Sequence, residues 1–409
     1  MSLALCACSS SSAPQAAEPD AGADAGLLTD LAGMTAKTDL SDGGYGDALP
    51  RLSQSDLALF AAGRAAFIHQ FSAADGLGPV FNAAFCSNCH DAPPAIGGTN
   101  QRVERRYGHR NTDGSFDPLT AQGGTLLHDT GIGAVDGGTY AGETIPAAAN
   151  VVAGRRTQPV FGLSLVEATP DSSFRAIAAY QAAHSPAAAG RAATVTDLST
   201  GLPAVGRFGW KSAIATLFQF SGDAALNEMG ITSPQFPNDV CPNGDCSKLS
   251  YNPAPGMNDP GGVFVAQFND FMQFLGPPPA PTLSGAAIQG QQVFASIGCA
   301  VCHLPLLVTG PNTNPAFDQI AYHPYSDFLL HDMGSLGDGI LQADAQPGEM
   351  RTQPLWGLGK QTALLHDART ASPSEAIAAH DGQGKSSRDA FAALSDDDRA
   401  ALLEFLAAL

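Results

Sequence analysis

Two five-residue stretches, Cys86-Ser87-Asn88-Cys89-His90 and Cys299-Ala300-Val301-Cys302-His303, carry the residues best suited to chemistry in this chain. On a helical turn, positions i, i+3 and i+4 share one face. Two thiols and an imidazole at that spacing therefore point the same way. The thiols can add to the two vinyl groups of one haem, and the imidazole can reach the iron from the same side. A dithiol redox pair or half of a zinc site needs no histidine at the fifth place, and neither explains why the pattern occurs twice. The spacing predicts two covalently bound haem c groups. Cys86 and Cys89 would hold one and Cys299 and Cys302 the other, with His90 and His303 as iron ligands.

The other four of the eight cysteines fall into two further pairs. Cys241 and Cys246 enclose Pro-Asn-Gly-Asp, a short polar turn that predicts a disulfide. Cys6 and Cys8 belong to an apolar opening too short for a complete signal sequence. Leu5-Cys6-Ala7-Cys8 fits a lipoprotein leader loosely, with Cys8 as the acylated residue and a lipid anchor; a mis-assigned start is the alternative. Residues 1–50 then read as leader and flexible tether. Covalent haem is normally fitted outside the cytoplasm, so a periplasmic location, tethered or free, is expected.

The chain has 409 residues, with 20 Lys plus Arg against 39 Asp plus Glu, a net charge of −19. Nucleic acid is an unsuitable partner for such a chain, because phosphate must be met by clustered cations. An anionic membrane surface is unsuitable for the same reason. The field would instead steer a small basic electron-donor protein. No apolar run approaches the roughly 18 residues of a membrane span. A hydrophobic content of 44% suffices for two cores, and 45 Gly with 29 Pro imply long ordered loops.

The surroundings of each motif recur. Gly63-Arg64-Ala65-Ala66-Phe67 answers Gly290-Gln291-Gln292-Val293-Phe294, within helical patterns at 53–71 and 283–297. Arg156-Thr157-Gln158-Pro159 answers Arg351-Thr352-Gln353-Pro354, and Ala176 to Tyr180 answers Ala376 to His380. The expected fold is mainly α: two cytochrome c-like haem domains from an internal repeat, at 51–205 and 281–409, with long loops. A helical insertion and connector at 206–280 lies between them and includes an apolar helix at 263–275. One final helix, 387–408, would close the second domain. Arg156 and Arg351 are expected to pair with haem propionates, because a guanidinium fork matches a carboxylate. Trp210 and Trp356, the only tryptophans, could lie between the haems or in the core.

These duplicated motifs with their arginine-threonine-x-proline segments resemble the bacterial dihaem cytochrome c peroxidase and MauG superfamily. The chain is more similar still to the di-haem oxidoreductases regarded as peroxidases, also called thiol oxidoreductases. The residues that carry the likeness are Gly78 to Asn82, Leu165 to Ala168, Gly206 to Lys211, Glu228 to Pro234, Tyr325 to Gly334 and Leu365 to Asp367. The resemblance implies a peroxide-reducing enzyme in which a second haem receives electrons and a first haem meets peroxide. It implies a sixth ligand for the second haem at His380 and sets Tyr180 at the matching place in the first half; Met229 and Met333 are rivals for the distal positions, with core filling as the alternative. It sets the acid–base carboxylate at Glu167, and it allows calcium between the modules, where the Asp332–Asp338 loop is acidic without diagnostic spacing. His331 and His366, each before an Asp, could bond propionates or orient loops, and His128 is a reserve ligand. Two other functions stay open: a two-haem electron carrier without catalysis, and oxidative modification of a protein or organic substrate.

Overall fold

The computed structural model describes residues 36–409 except 41, 42, 92, 93 and 101. Cys6, Cys8 and the expected lipid anchor lie outside the described residues. The α-helices are α1 (Gln54–Ile68), α2 (Leu163–Glu167), α3 (Asp171–His184), α4 (Leu217–Met229), α5 (Val263–Phe274), α6 (Gly285–Ser296), α7 (Pro373–Ala378), α8 (Lys385–Ala392) and α9 (Asp396–Ala408). No helix among the described residues is long and apolar enough to cross a membrane.

Two helix crossings place the two motifs. Ser53 caps α1 by accepting from Asp56 N at 3.1 Å, while the Asp56 carboxylate accepts from Ser53 N at 3.2 Å. One face of α1 then crosses α5 at Gly63. A Cβ at Gly63 would sit 2.5 Å from Gln267 O and 2.6 Å from Phe271 N, so only glycine allows this approach. Phe67, one turn on, packs on Phe271 at 4.6 Å and leans towards His90 at 5.8 Å. The same arrangement recurs where α6 crosses α9. A Cβ at Gly290 would lie 2.0 Å from Ala401 O, and Phe294 packs on Phe405 at 5.5 Å and towards His303 at 6.3 Å. Each glycine thus sets a helix crossing, and the phenylalanine four residues later buttresses the motif histidine. Helix α5, expected to belong to a connector, covers α1 directly.

The fold is mixed and helix-rich, at 35% helix and 15% strand, rather than mainly α. The difference arises in the long loops, which pair with one another instead of staying irregular. Residues 103–110 run antiparallel to 151–156, with Glu104 opposite Arg155. Residues 193–196 pair with 203–206, and 330–332 with 349–351. The expected final helix is two helices, because Ser395 accepts from Asp398 N at 3.2 Å and starts α9 anew with three aspartates in its first turn.

The largest buried cluster draws on Phe67, Phe161, Phe208, Leu275, Leu307, Phe328 and Trp356, so residues from both halves share one core. A buried ionic cluster adds to this. Asp338 meets Arg155 at 2.7 Å and Lys211 at 2.8 Å, joining the 151–156 strand to the loop after 330–332. Backbone carbonyls of Gln346, Pro347 and Glu349 take the remaining Lys211 protons. Such an arrangement is costly to break, since removing one partner strands a buried charge.

Candidate haem sites

Both motifs sit on a single helical turn. His90 N donates to Cys86 O at 3.1 Å and His303 N to Cys299 O at 2.9 Å, the i+4 bonds that bring thiols and imidazole to one face. Burial pushes the thiols up, Cys86 and Cys299 to about 12 and Cys89 to about 11. That is opposite to a reactive dithiol, whose surroundings lower its pKa. Burial also lowers both histidines to about 4, so each imidazole is neutral at neutral pH, the ligating form. His303 Nδ1 is bonded to Tyr325 O at 3.0 Å, which leaves Nε2 for a metal. His90 Nδ1 is buried without a hydrogen-bond partner among the described residues.

A cavity of about 220 Å³ opens at the second motif. Cys299, Cys302, His303, Met333, Arg351 and His380 line it, together with Arg156, Trp210 and His366 from further away in the chain. His380 follows α7, which starts at Ser372 with Pro373 in its first turn. Its Nδ1 is bonded to Ala376 O at 2.8 Å, so Nε2 is again the nitrogen left over. A Cβ at Gly384 would meet His380 Cδ2 at 3.1 Å and Met333 Cε at 3.2 Å, so the two rival ligands lie side by side.

Arg156 and Arg351 both reach this one cavity, which their positions in the repeat did not foretell. Gln158 bonds Gln353 at 2.6 Å, so the two Arg-Thr-Gln-Pro segments meet face to face. Trp210 joins them through its Nε1–H to Arg156 O at 2.8 Å, while Arg351 N donates to Trp210 O at 2.9 Å. Their electrostatics differ. Arg351 spends its donors on Gly209 O, Thr352 O and Gln353 Oε1. Arg156 gives Nη2 to Gln361 at 2.8 Å, but its Nε and Nη1 are buried and unpartnered among the described residues. Burial lowers the two guanidiniums to about 10 and about 9 respectively. A buried cation with two idle donors beside two thiols and two imidazoles suits an anionic, iron-bearing ligand. The residues present fit haem, and Arg156 Nε and Nη1 are the donors left for such a ligand.

His331 also lines the cavity and bonds Asp327 at 3.0 Å, with Cys302 Sγ 3.6 Å from its Nδ1. These three side chains are the one group with metal-ligand spacing among the described residues. His366 packs on Trp210 at 6.2 Å. Trp356 lies in the shared core, 6.0 Å from Tyr322.

Glu167 ends α2 and caps α4, its Oε1 accepting from Leu217 N at 2.7 Å; burial raises its pKa. Tyr180 stacks on His184 at 4.0 Å, one turn along α3. His128 is held by Glu143 at 2.6 Å. Asp338 of the acidic loop is engaged by Arg155 and Lys211. The Cys241–Cys246 disulfide is present. Spacing alone missed a further group. Glu104 and Glu228, 124 positions apart in the sequence, both lie within electrostatic reach of Cys89, and only the pairing of strand 103–110 with 151–156 gives a hint of the first.

Residues 145–409 match the family model described as "Di-haem oxidoreductase, putative peroxidase". The chain belongs to this family, and with it to the dihaem peroxidase-like oxidoreductases. The matched stretch contains the second motif and begins after the first. No curated protein matches the chain. Among solved structures, a MauG-like protein associated with microbial copper homeostasis is 15% identical, with coverage of 91% of this chain and 94% of that one and a TM-score of 0.39. The diheme peroxidase BthA from Burkholderia thailandensis is 12% identical, covering 92% of each chain, with a TM-score of 0.40. A hydrazine synthase from Kuenenia stuttgartiensis is 17% identical over 43% of this chain, which spans 65% of that one, with a TM-score of 0.27.

Proposed function

We propose that this chain is a periplasmic dihaem c-type cytochrome of peroxidase type, built as two cytochrome c-like modules around residues 51–205 and 281–409. Cys86 with Cys89 and Cys299 with Cys302 would hold the two haems by thioether bonds. His90 and His303 would bind the irons, and His380 would take the sixth position at the second. Electrons would come from a donor protein at the second motif, and peroxide would be reduced at the first. A leader acylated at Cys8 would tether the protein to a membrane. Calcium between the modules belongs to the same proposal.

When bound, the haems supply one-electron redox centres and an iron at which peroxide can be cleaved. The chain's own residues do the rest. Tyr325 O orients the His303 ring through Nδ1, and Ala376 O does the same for His380. Arg156 offers Nε and Nη1 to a propionate, which relieves both partners of an unpaired buried charge. His303 and His380 would both hold the second iron, a ligation that would favour electron passage over substrate binding. Burial raises Glu167, which would hold a proton at the end of α2 while its Oε1 accepts from Leu217 N.

The observation that carries the reading is the Arg156 guanidinium, its Nε and Nη1 without a partner among the described residues, in a cavity with Cys299, Cys302, His303 and His380. The test is a pyridine haemochrome count with low-temperature paramagnetic resonance in the ferric and half-reduced states. Two covalent haems per chain are expected, one low-spin and one responding to peroxide or cyanide. Fewer than two covalent haems refutes the assignment. Two low-spin haems indifferent to peroxide in both redox states would make the protein an electron carrier.

A further inference from the structure

The two Arg-Thr-Gln-Pro segments meet through a pair of glutamines. Gln158 Nε2 donates to Gln353 Oε1 at 2.6 Å, and Arg351 Nη2 donates to the same oxygen at 3.1 Å. A guanidinium can only donate. Arg351 is itself fixed, its Nε donating to Gly209 O at 2.7 Å and its Nη1 to Thr352 O at 3.2 Å. Gln353 must therefore turn its oxygen to these donors, since the reversed amide would set its NH2 against the Arg351 guanidinium. Its Nε2 is the atom left over. That nitrogen is buried without a hydrogen-bond partner among the described residues, like Nε and Nη1 of Arg156. Gln353 and Arg156 line the cavity of about 220 Å³ together with Cys299, Cys302 and His303.

Each glutamine is tied to its own motif. In the first half, Thr157 O accepts from Thr99 Oγ1 at 2.5 Å, and Thr157 N donates to Arg102 O at 3.2 Å. Val160 N donates to Gly97 O at 2.8 Å, and Gly97 N donates in turn to His90 O at 2.7 Å. In the second half, Thr352 O accepts from Ser326 Oγ at 2.8 Å. Ser326 N and Asp327 N then donate to Leu304 O at 3.0 Å and Cys302 O at 2.9 Å. The order is the same in both halves: motif, following loop, threonine, glutamine. Gln158 stands outside the residues that line the cavity, so it can act there only through Gln353.

We infer that Gln158, in the first module, sets the redox potential of the second haem by holding Gln353 with its Nε2 free to donate to a propionate beside Arg156. This rests on the haem reading above. A propionate carboxylate favours ferric iron through its negative charge. A donor to that carboxylate draws the charge away, so Gln353 favours the ferrous state, the second-shell lever on a haem potential. Gln158 is a positioning residue. It fixes an amide whose other orientation would turn a carbonyl oxygen towards the carboxylate and leave two acceptors facing one another. Without Gln158, only the longer bond from Arg351 selects the orientation. The first module thereby biases how readily electrons enter the second.

The test is a redox titration of the haem-loaded wild type, Q353M, Q158M and the double variant. The second haem is followed by its own low-spin resonance signal, and haem content by pyridine haemochrome. Methionine keeps the length of glutamine and lacks its donor. Q353M should lower the midpoint potential of the second haem. Q158M should lower it too, although its side chain lies outside the cavity. The double variant should fall no further than Q353M alone, because both changes act on one amide. A second-haem potential unmoved in either single variant, or shifts that add in the double, overturns the inference. A bridge that served only the fold would lower the urea midpoint and leave the potential alone, which overturns it as well. Should Q158M fail to load haem, Q158N serves: one methylene shorter, it cannot keep the 2.6 Å contact and should give the same downward shift, and an unmoved potential again overturns the inference. A wild type without covalent haem at the second motif removes the haem reading and the inference together. A loaded wild type whose potential ignores Q353M and Q158M removes the inference alone.

Discussion

Arg156 and Arg351 occupy equivalent places in the repeat, yet their removal should have opposite dependence on haem. Arg351 bonds three acceptors within the chain, so Arg351→Met strips hydrogen bonds whether or not haem is bound. Arg156 has one acceptor, Gln361, and two buried idle nitrogens. In a chain without covalent attachment at the second motif, made by replacing Cys299 and Cys302 with Ala and freed of haem there, Arg156→Met should leave stability unchanged or raise it by roughly 1–3 kcal/mol, the cost of an unsatisfied buried group. In the loaded chain the same substitution strands a propionate. Two charged hydrogen bonds at roughly 1.5–3 kcal/mol each put the loss at about 3–6 kcal/mol, close to the roughly 3–5 kcal/mol for breaking a buried ion pair. Urea unfolding of the four proteins, followed by circular dichroism, reads both signs. Equal destabilisation by Arg156→Met with and without haem at the second motif would show that the guanidinium serves the fold and not a ligand.

Other outcomes follow from the same geometry. His380→Met should raise the potential of the second haem and abolish its two-imidazole resonance signature; an unchanged potential in redox titration removes His380 from the iron. Gly290→Ala would push a Cβ against Ala401 O, 2.0 Å away, and should cost about 1–3 kcal/mol as an overpacked contact, read as a lower urea midpoint. His331 and Asp327 form a buried pair whose worth depends on pH. Burial alone would lower His331, but the Asp327 carboxylate holds it well above its ordinary value, and Asp327 is held below its own. Their contribution is full below about pH 6.5, the free histidine value, and fades as pH rises through the raised folded value. It also fades in acid, as pH falls below the free carboxylate value and through the lowered folded one. His331→Gln should flatten the alkaline side of the stability–pH curve, and an unaltered slope there would show that the pair is neutral.

The two Cys-x-x-Cys-His turns, the Cys241–Cys246 bridge and the helices at 54–68 and 285–296 were legible in the residues alone. Each is a local matter: i, i+3 and i+4 share a face by helical geometry, and a five-residue separation closes a turn without help from the rest of the chain. The glycine-to-phenylalanine spacing was legible as a repeat, but its reason was not. Only the crossings at Gly63 and Gly290, with Phe67 and Phe294 behind the two histidines, explain it. Ser395 was a readable cap, and the single helix expected over 387–408 ignored it.

What needed the tertiary structure is everything that depends on which distant segments meet. Periodicity cannot say that loops 103–110 and 151–156 pair, so the fold is more strand-bearing than the helical motifs implied. Nor can it say that Arg156 and Arg351 enter one cavity, because that follows from Gln158 meeting Gln353 across the molecule. Nor can it say that Asp338 meets Arg155 and Lys211, because those three residues lie far apart in the chain and only the folded core buries them together. Spacing along a helix is decided by bonds within a few residues, whereas charge state and cavity lining are decided by whatever the folded chain brings alongside.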